Sequence, residues 1–209
     1  HVVNQQPSSR WYSGSGIYRD VKLSVTDKVH VAKYGTTITS PKLEEQKNGA
    51  VDTLVKSRIV NQDDQAHSIY AEYKIVDQNG QVVSEKVRSE VQSVLAGQEL
   101  NLSHTLHVEK PTLWDVKTNN PALYTLYTRV YRDSQLVDVQ KERFGYRYLN
   151  WTPEGGFFLN GVATKFHGVS LHHDHGALGA EENYKAEYRR LKQMKDMGVN
   201  AIRTTHNPA

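Results

Sequence analysis

The chain has 209 residues, a formal net charge of +3 and no cysteine. That length suits one or two domains, and the lack of cysteine excludes disulfides and thiolate-bound zinc. Lysines and arginines are scattered along the sequence, which speaks against nucleic acid as a partner, and no apolar run is long enough for a transmembrane segment.

Residues 1–24 are rich in serine and glycine with embedded aromatics, as in Pro7-Ser-Ser-Arg-Trp-Tyr-Ser-Gly-Ser-Gly16. This stretch is too short to fold alone and reads as the end of a preceding domain. It has no signal-peptide pattern.

Residues 25–149 alternate apolar and polar positions in short runs, the signature of half-buried strands. The runs are 29–32, 54–60, 68–76, 82–87, 100–106, 122–130 and 136–144. Asn79-Gly80 lies between two of them and predicts a type I′ hairpin, because both residues tolerate positive φ. About seven strands over this length predict an immunoglobulin-like β-sandwich in architecture, without its cysteine pair.

The texture changes from residue 150. Asn160-Gly161 predicts a second hairpin, and 166–171 reads as a mostly apolar strand. A helix is predicted from about Glu181 to Met197, with Tyr184, Tyr188, Leu191, Met194 and Met197 on one stripe and Gly198 ending it. Residues 199–205 form the next strand. Strand, helix and strand with polar residues at the strand ends is how an α/β barrel builds its active site. One such unit is a small part of a barrel of ~250 residues. The chain is therefore expected to be a fragment: mainly β, an immunoglobulin-like sandwich followed by the first βαβ portion of an incomplete TIM barrel.

Two constellations carry chemistry. The first is His172-His173-Asp174-His175 at the exit of the first strand. In extended backbone His172 and Asp174 share one face and His173 and His175 the other, so the four do not converge on one centre and a metal site is not favoured. A polar loop and a sugar-recognition element remain, since imidazole both donates and accepts hydrogen bonds and carboxylate accepts strongly. The second constellation is Arg203 and His206 at the end of the next strand. A buried guanidinium needs a carboxylate partner, either a catalytic one or Glu181 or Glu182. His206, followed by Asn207-Pro208, fits a substrate contact. Trp114 and Trp151 are read as seam fillers, and Trp11 and Tyr12 as either seam or sugar-stacking residues.

Several ordered motifs resemble glycoside hydrolase family 2, which includes β-galactosidases, β-glucuronidases and β-mannosidases. They are the segment ending in Ile17-Tyr-Arg-Asp20, then Leu113-Trp114, Pro121-Ala-Leu-Tyr-Thr-Leu126, Phe144-Gly-Tyr-Arg147, Leu159-Asn-Gly161, His167-Gly-Val169, His172 and Asn200-Ala-Ile-Arg-Thr-Thr-His206. The resemblance spans the chain. It implies that 1–24 closes a jelly-roll sugar-binding domain, that 25–149 is the immunoglobulin-like domain, and that 150–209 opens a TIM-barrel catalytic domain.

The resemblance also implies roles. His172, Asp174 and His206 would contact the sugar, and Arg203 would position the nucleophile. His173 stands where the family often has glutamate. Both catalytic glutamates would lie beyond residue 209, so the parent would be an exo-β-galactosidase and this piece alone inactive. The wording from Ser170 to Gly176 resembles β-galactosidases of Gram-positive surface enzymes, which implies an extracellular or cell-wall-attached protein; a cytoplasmic one is the alternative. A terminal β-galactoside and the remaining domains of the same polypeptide would be its partners. No cofactor or metal is expected in this chain, and any Mg²⁺ or Na⁺ would belong to the full-length parent. β-Glucuronidase or β-mannosidase activity, and a non-enzymatic glycan-binding or adhesion module, are the competing readings.

Overall fold

The structure is a computed structural model, and it describes Val3, Gln5, residues 16–117 and residues 121–206. Trp11, Tyr12, Asn207 and Pro208 lie outside the described residues. The chain divides into two compact units: Val25–Thr164, and His1–Ser24 together with Lys165–Ala209.

The first unit holds a two-sheet β-sandwich followed in sequence by a small third sheet. One sheet joins β1 (Val29–Thr39), β2 (Ala50–Asn61) and β6 (Glu99–Glu109), all antiparallel. The other runs β4 (Val87–Arg88), β3 (His67–Val76), β7 (Tyr124–Arg132), β8 (Gln135–Phe144), with β5 (Gln92–Val94) also on β3. A one-turn helix, α1 (Leu43–Gln46), links β1 to β2.

Register explains the core. Val51 faces Val108, Thr53 faces Leu106, Ser57 faces Leu102 and Ile59 faces Leu100, and all eight are buried. Across the sandwich Ala71 pairs with Val130, Tyr73 with Thr128 and Ile75 with Leu126. The period of two therefore puts one face of β2, β3, β6 and β7 into a single core, where each buried aliphatic side chain contributes roughly 1.5–3 kcal/mol; β8 packs only the half-buried Val137 and Phe144 against it. Thr53 Oγ1 and Tyr146 Oη hydrogen-bond at 2.7 Å inside it. Burial pushes the Tyr146 phenol above its ordinary pKa, so it stays neutral.

The turns only partly follow the sequence reading. At Asn160-Gly161 both φ angles are positive, 52° and 78°, as a type I′ turn between β10 (Gly156–Leu159) and β11 (Val162–Ala163) requires. At Asn79-Gly80 only Gly80 is left-handed. There the Asp77 carboxylate accepts from the Asn79 and Gln81 amides at 2.9 Å each and shapes a longer turn. The run 82–87 is correspondingly broken, pairing only through Val82 and then β4. Asp133 and Ser134 form a second type I′ turn, with φ 49° and 70°, that the sequence did not advertise. The sequence did not advertise β9 (Leu149–Thr152) either, which pairs antiparallel with β10.

The second unit contains β12 (Gly168–Leu171), a 3₁₀ turn (Gly176–Leu178), α2 (Tyr184–Asp196) and β13 (Ala201–Thr204). β12 and β13 are parallel neighbours. Helix α2 starts at Tyr184 rather than about Glu181, because Asn183 is its cap: Asn183 Oδ1 accepts from the Lys185 and Ala186 amides at 3.1 Å each. It ends as expected at Gly198, φ 90°, where Gly198 N–H reaches Lys195 O and Val199 N–H reaches Met194 O, a Schellman pair. The apolar stripe of α2 is largely solvent-facing, with Tyr184 and Met197 each 80% exposed. With Leu171, Ile202 and Thr204 it borders an open cleft of about 400 Å³ that reaches His172.

Two positions test this account. In β1 the register jumps between Val31 and Thr36, and a Cβ on Gly35 would come within 2.7 Å of Ala32 O and 2.8 Å of Arg58 O. Gly35→Ala is expected to lower unfolding stability by about 1–3 kcal/mol in urea titration. His67 sits between two carboxylates, Nδ1 2.7 Å from Asp133 and Nε2 3.1 Å from Asp63, with Lys28 also on Asp63. Hydrogen bonds to Asp63 and then Asp133 raise the His67 pKa; Lys28 and then His67 hold Asp63 below the usual range. The histidine's stabilisation is thus complete below about pH 6.5 and is lost as pH rises through its raised folded value, while the Asp63 contribution disappears only in acid. The melting temperature should fall between about pH 6 and pH 9, more steeply than in His67→Gln; parallel curves would contradict this.

Candidate functional site

The parallel register decides which polar residues meet. Val169 pairs with Ile202, Ser170 with Arg203 and Leu171 with Thr204. The pairing continues one step further, because Thr205 N–H donates to Leu171 O at 2.9 Å. At the other end Asn200 acts as an extra rung. Its Oδ1 accepts from the His167 amide at 2.8 Å, its Nδ2 donates to Lys165 O at 2.9 Å, and its own N–H reaches His167 O. Both strands therefore end level, and the residues just past them, His172 and His206, come together with ring centroids 5.7 Å apart and planes 27° apart. His206 is held at φ 57°, a left-handed conformation that costs a non-glycine residue free energy and occurs often at functional turns.

The residues after β12 leave the strand through a bend and go different ways. His172 turns to His206, while the His173 ring lies 5.1 Å from that of Tyr18. His175 Nε2 lies 2.8 Å from Glu187 Oε1 on α2, at ion-pair distance but outside hydrogen-bond geometry. Asp174 is half-buried. Among the described residues no group of three or more histidines and carboxylates is disposed to hold a metal.

Arg203 corrects an expectation. It was read as lying at the end of a buried strand, but β13 pairs only with β12 among the described residues and Arg203 is exposed. Among the described residues Arg203 makes no ion pair to Glu181 or Glu182, and the Glu182 amide donates to Tyr18 O. Exposed, the guanidinium needs no buried partner and is available to one brought alongside. The aromatics also separate. Trp114 is packed under the Arg147 guanidinium, 4.9 Å from its ring, and its carbonyl accepts from Asn160 Nδ2. Trp151 is 67% exposed, with its ring against Phe157 at 4.5 Å.

Sequence reading missed Arg190, Glu187 and the two-sided role of Asn200. The spacing of Glu187 and Arg190, i and i+3 on a helix, was a visible pairing signal. That Arg190 also reaches the loop after β12 was not.

The family model for Glycosyl hydrolases family 2 matches residues 29–147. A β-galactosidase of Bacteroides ovatus is 41% identical over 204 residues, which cover 98% of this chain and 23% of that protein. A β-glucuronidase of Bacteroides fragilis is 30% identical over 193 residues, 92% of this chain and 27% of that protein. A solved structure of a family 2 member from Bacteroides cellulosilyticus superposes with a TM-score of 0.85 at 33% identity, covering 95% of this chain and 25% of that one. The chain thus spans about a quarter of the length of these relatives. With the fold and the ordered motifs, these matches show that the chain belongs to glycosyl hydrolase family 2.

Proposed function

We propose that the chain is part of a retaining exo-β-galactosidase, in which residues 150–209 open a TIM barrel and residues 1–24 close a sugar-binding domain. The observation that carries this reading is the meeting of His172 and His206 at the level ends of two parallel strands, where a barrel enzyme collects its substrate contacts. The 41% identity to a β-galactosidase supports galactose as the sugar.

In this reading a glutamate from a later strand attacks the anomeric carbon as a second carboxylic acid protonates the departing oxygen. The C–O bond to the aglycone breaks and a glycosyl–enzyme ester forms. Water, deprotonated by the same second group, then displaces the ester and releases the sugar with its configuration retained. The residues of this chain hold and orient. His172 and His206 present imidazole nitrogens that donate to or accept from sugar hydroxyls, Asp174 accepts, and Arg203 pairs with the nucleophilic carboxylate to keep it ionised. Any Mg²⁺ or Na⁺ would be held elsewhere in the polypeptide.

β-Glucuronidase activity is the second reading, favoured by the 30% identity to a β-glucuronidase. The test is hydrolysis of aryl β-galactoside, β-glucuronide and β-mannoside by the intact polypeptide that carries this segment. The galactoside should be turned over fastest, the 209-residue chain alone should release no aglycone, and His206→Ala should lower kcat/KM about tenfold, equivalent to about 1.4 kcal/mol of transition-state binding. Preference for the glucuronide would overturn the choice of sugar, and unchanged kcat/KM in the variant would remove His206 from the site.

A further inference from the structure

The loop after β12 carries two of the proposed sugar contacts, yet it contains little regular structure to hold it. Backbone bonds tie its 175–181 stretch: His175 N–H to Gly179 O at 2.8 Å, Leu178 N–H to His175 O at 2.9 Å, Gly179 N–H to Gly176 O at 3.1 Å and Glu181 N–H to Leu178 O at 3.4 Å. A side chain from α2 reaches the main chain of 172 and 174. Arg190 Nη1 donates to Asp174 O at 2.7 Å, and Arg190 Nη2 donates to His172 O at 3.3 Å. The same guanidinium is held from behind by Glu187, with Nε donating to Oε2 at 3.2 Å and Nη2 to Oε1. Glu187 Oε1 in turn stands 2.8 Å from His175, whose side chain is only 8% exposed. One guanidinium on the helix thus grips the loop at the carbonyls of 172 and 174, and the carboxylate behind it faces the ring of 175.

We infer that Arg190, backed by Glu187, is a positioning residue that sets where His172 and Asp174 stand at the sugar subsite; the inference rests on the reading that these two residues contact substrate. Arginine is the residue this job needs. Its planar fork offers separate N–H vectors to two carbonyls and a third side to the carboxylate, all at once. A lysine ammonium retains the charge and the helix propensity but cannot span the two carbonyls while bound to Glu187. The grip is on the main chain, so it sets where the two residues stand without engaging their side chains.

The test uses Arg190→Lys and Arg190→Ala in the intact polypeptide, with hydrogen exchange of the 171–179 segment and steady-state kinetics on the preferred aryl glycoside as paired readouts. Arg190→Lys guards against a folding defect, because it keeps the helix former and the charge. The expected result is faster exchange confined to 171–179 in both variants, and a fall in kcat/KM of roughly 10- to 100-fold dominated by KM, with no rescue by lysine. Unchanged exchange in this segment, or full rescue by lysine, overturns the inference while leaving the proposed glycosidase intact. Faster exchange with unchanged kinetics overturns the substrate role of His172 and Asp174, and with it the positioning claim.

Discussion

The parallel pairing of β12 with β13 is the constraint on which the site depends. A parallel ladder has no turn to set its register, so something else must do so. Here Asn200 supplies it, adding side-chain rungs to His167 N–H and Lys165 O just before the strands begin. From that fixed start the two strands run four residues each and finish together, with Thr205 still bonded to Leu171. By this register His172 stands level with Thr205, and at the left-handed His206, one residue later, the second ring meets that of His172. A shift of one residue would turn every side chain of one strand to the opposite face and separate them.

The two units solve different problems. In the sandwich unit, cross-strand pairs such as Thr53–Leu106 and Ile59–Leu100 close a core from which polar atoms are mostly excluded. Inside it Thr53 and Tyr146 satisfy one another, while Ser57 Oγ, Tyr73 Oη and Thr128 Oγ1 are buried with no partner in hydrogen-bond geometry among the described residues. The β12–α2–β13 unit has few fully buried side chains and an open apolar stripe on its helix. Its order comes instead from directional bonds: the Asn183 cap, the Gly198 terminus, the Asn200 rungs and the Arg190 grip. Directional bonds of that kind suit a loop whose exposed groups meet a polar ligand, since they fix position without hiding the side chains.

The legibility of the sequence followed the same division. Strands with one buried face, such as β2, β3, β6 and β7, announced themselves by alternation, because burial enforces the period of two. The short pieces β4, β5 and β9 did not, since two to four residues show no period. Asn79-Gly80 looked decisive, but the Asp77 carboxylate two residues earlier governs that turn. In the site, strand, helix and strand were readable. The exposure of Arg203 was not, because burial belongs to neighbouring elements and not to the residue. The reach of Arg190 to two carbonyls was hidden too, since it depends on which way the main chain of the loop turns.

The most direct measurement is a double-mutant cycle of His172→Ala and His206→Ala in the intact polypeptide, read as kcat/KM on an aryl β-galactoside. If the level strand ends place both rings on one sugar, the two losses are coupled, with an interaction energy of about 0.5 kcal/mol or more. Two measurable losses that simply add would mean that the rings act on separate groups, and that their meeting at the strand ends is not what builds the subsite.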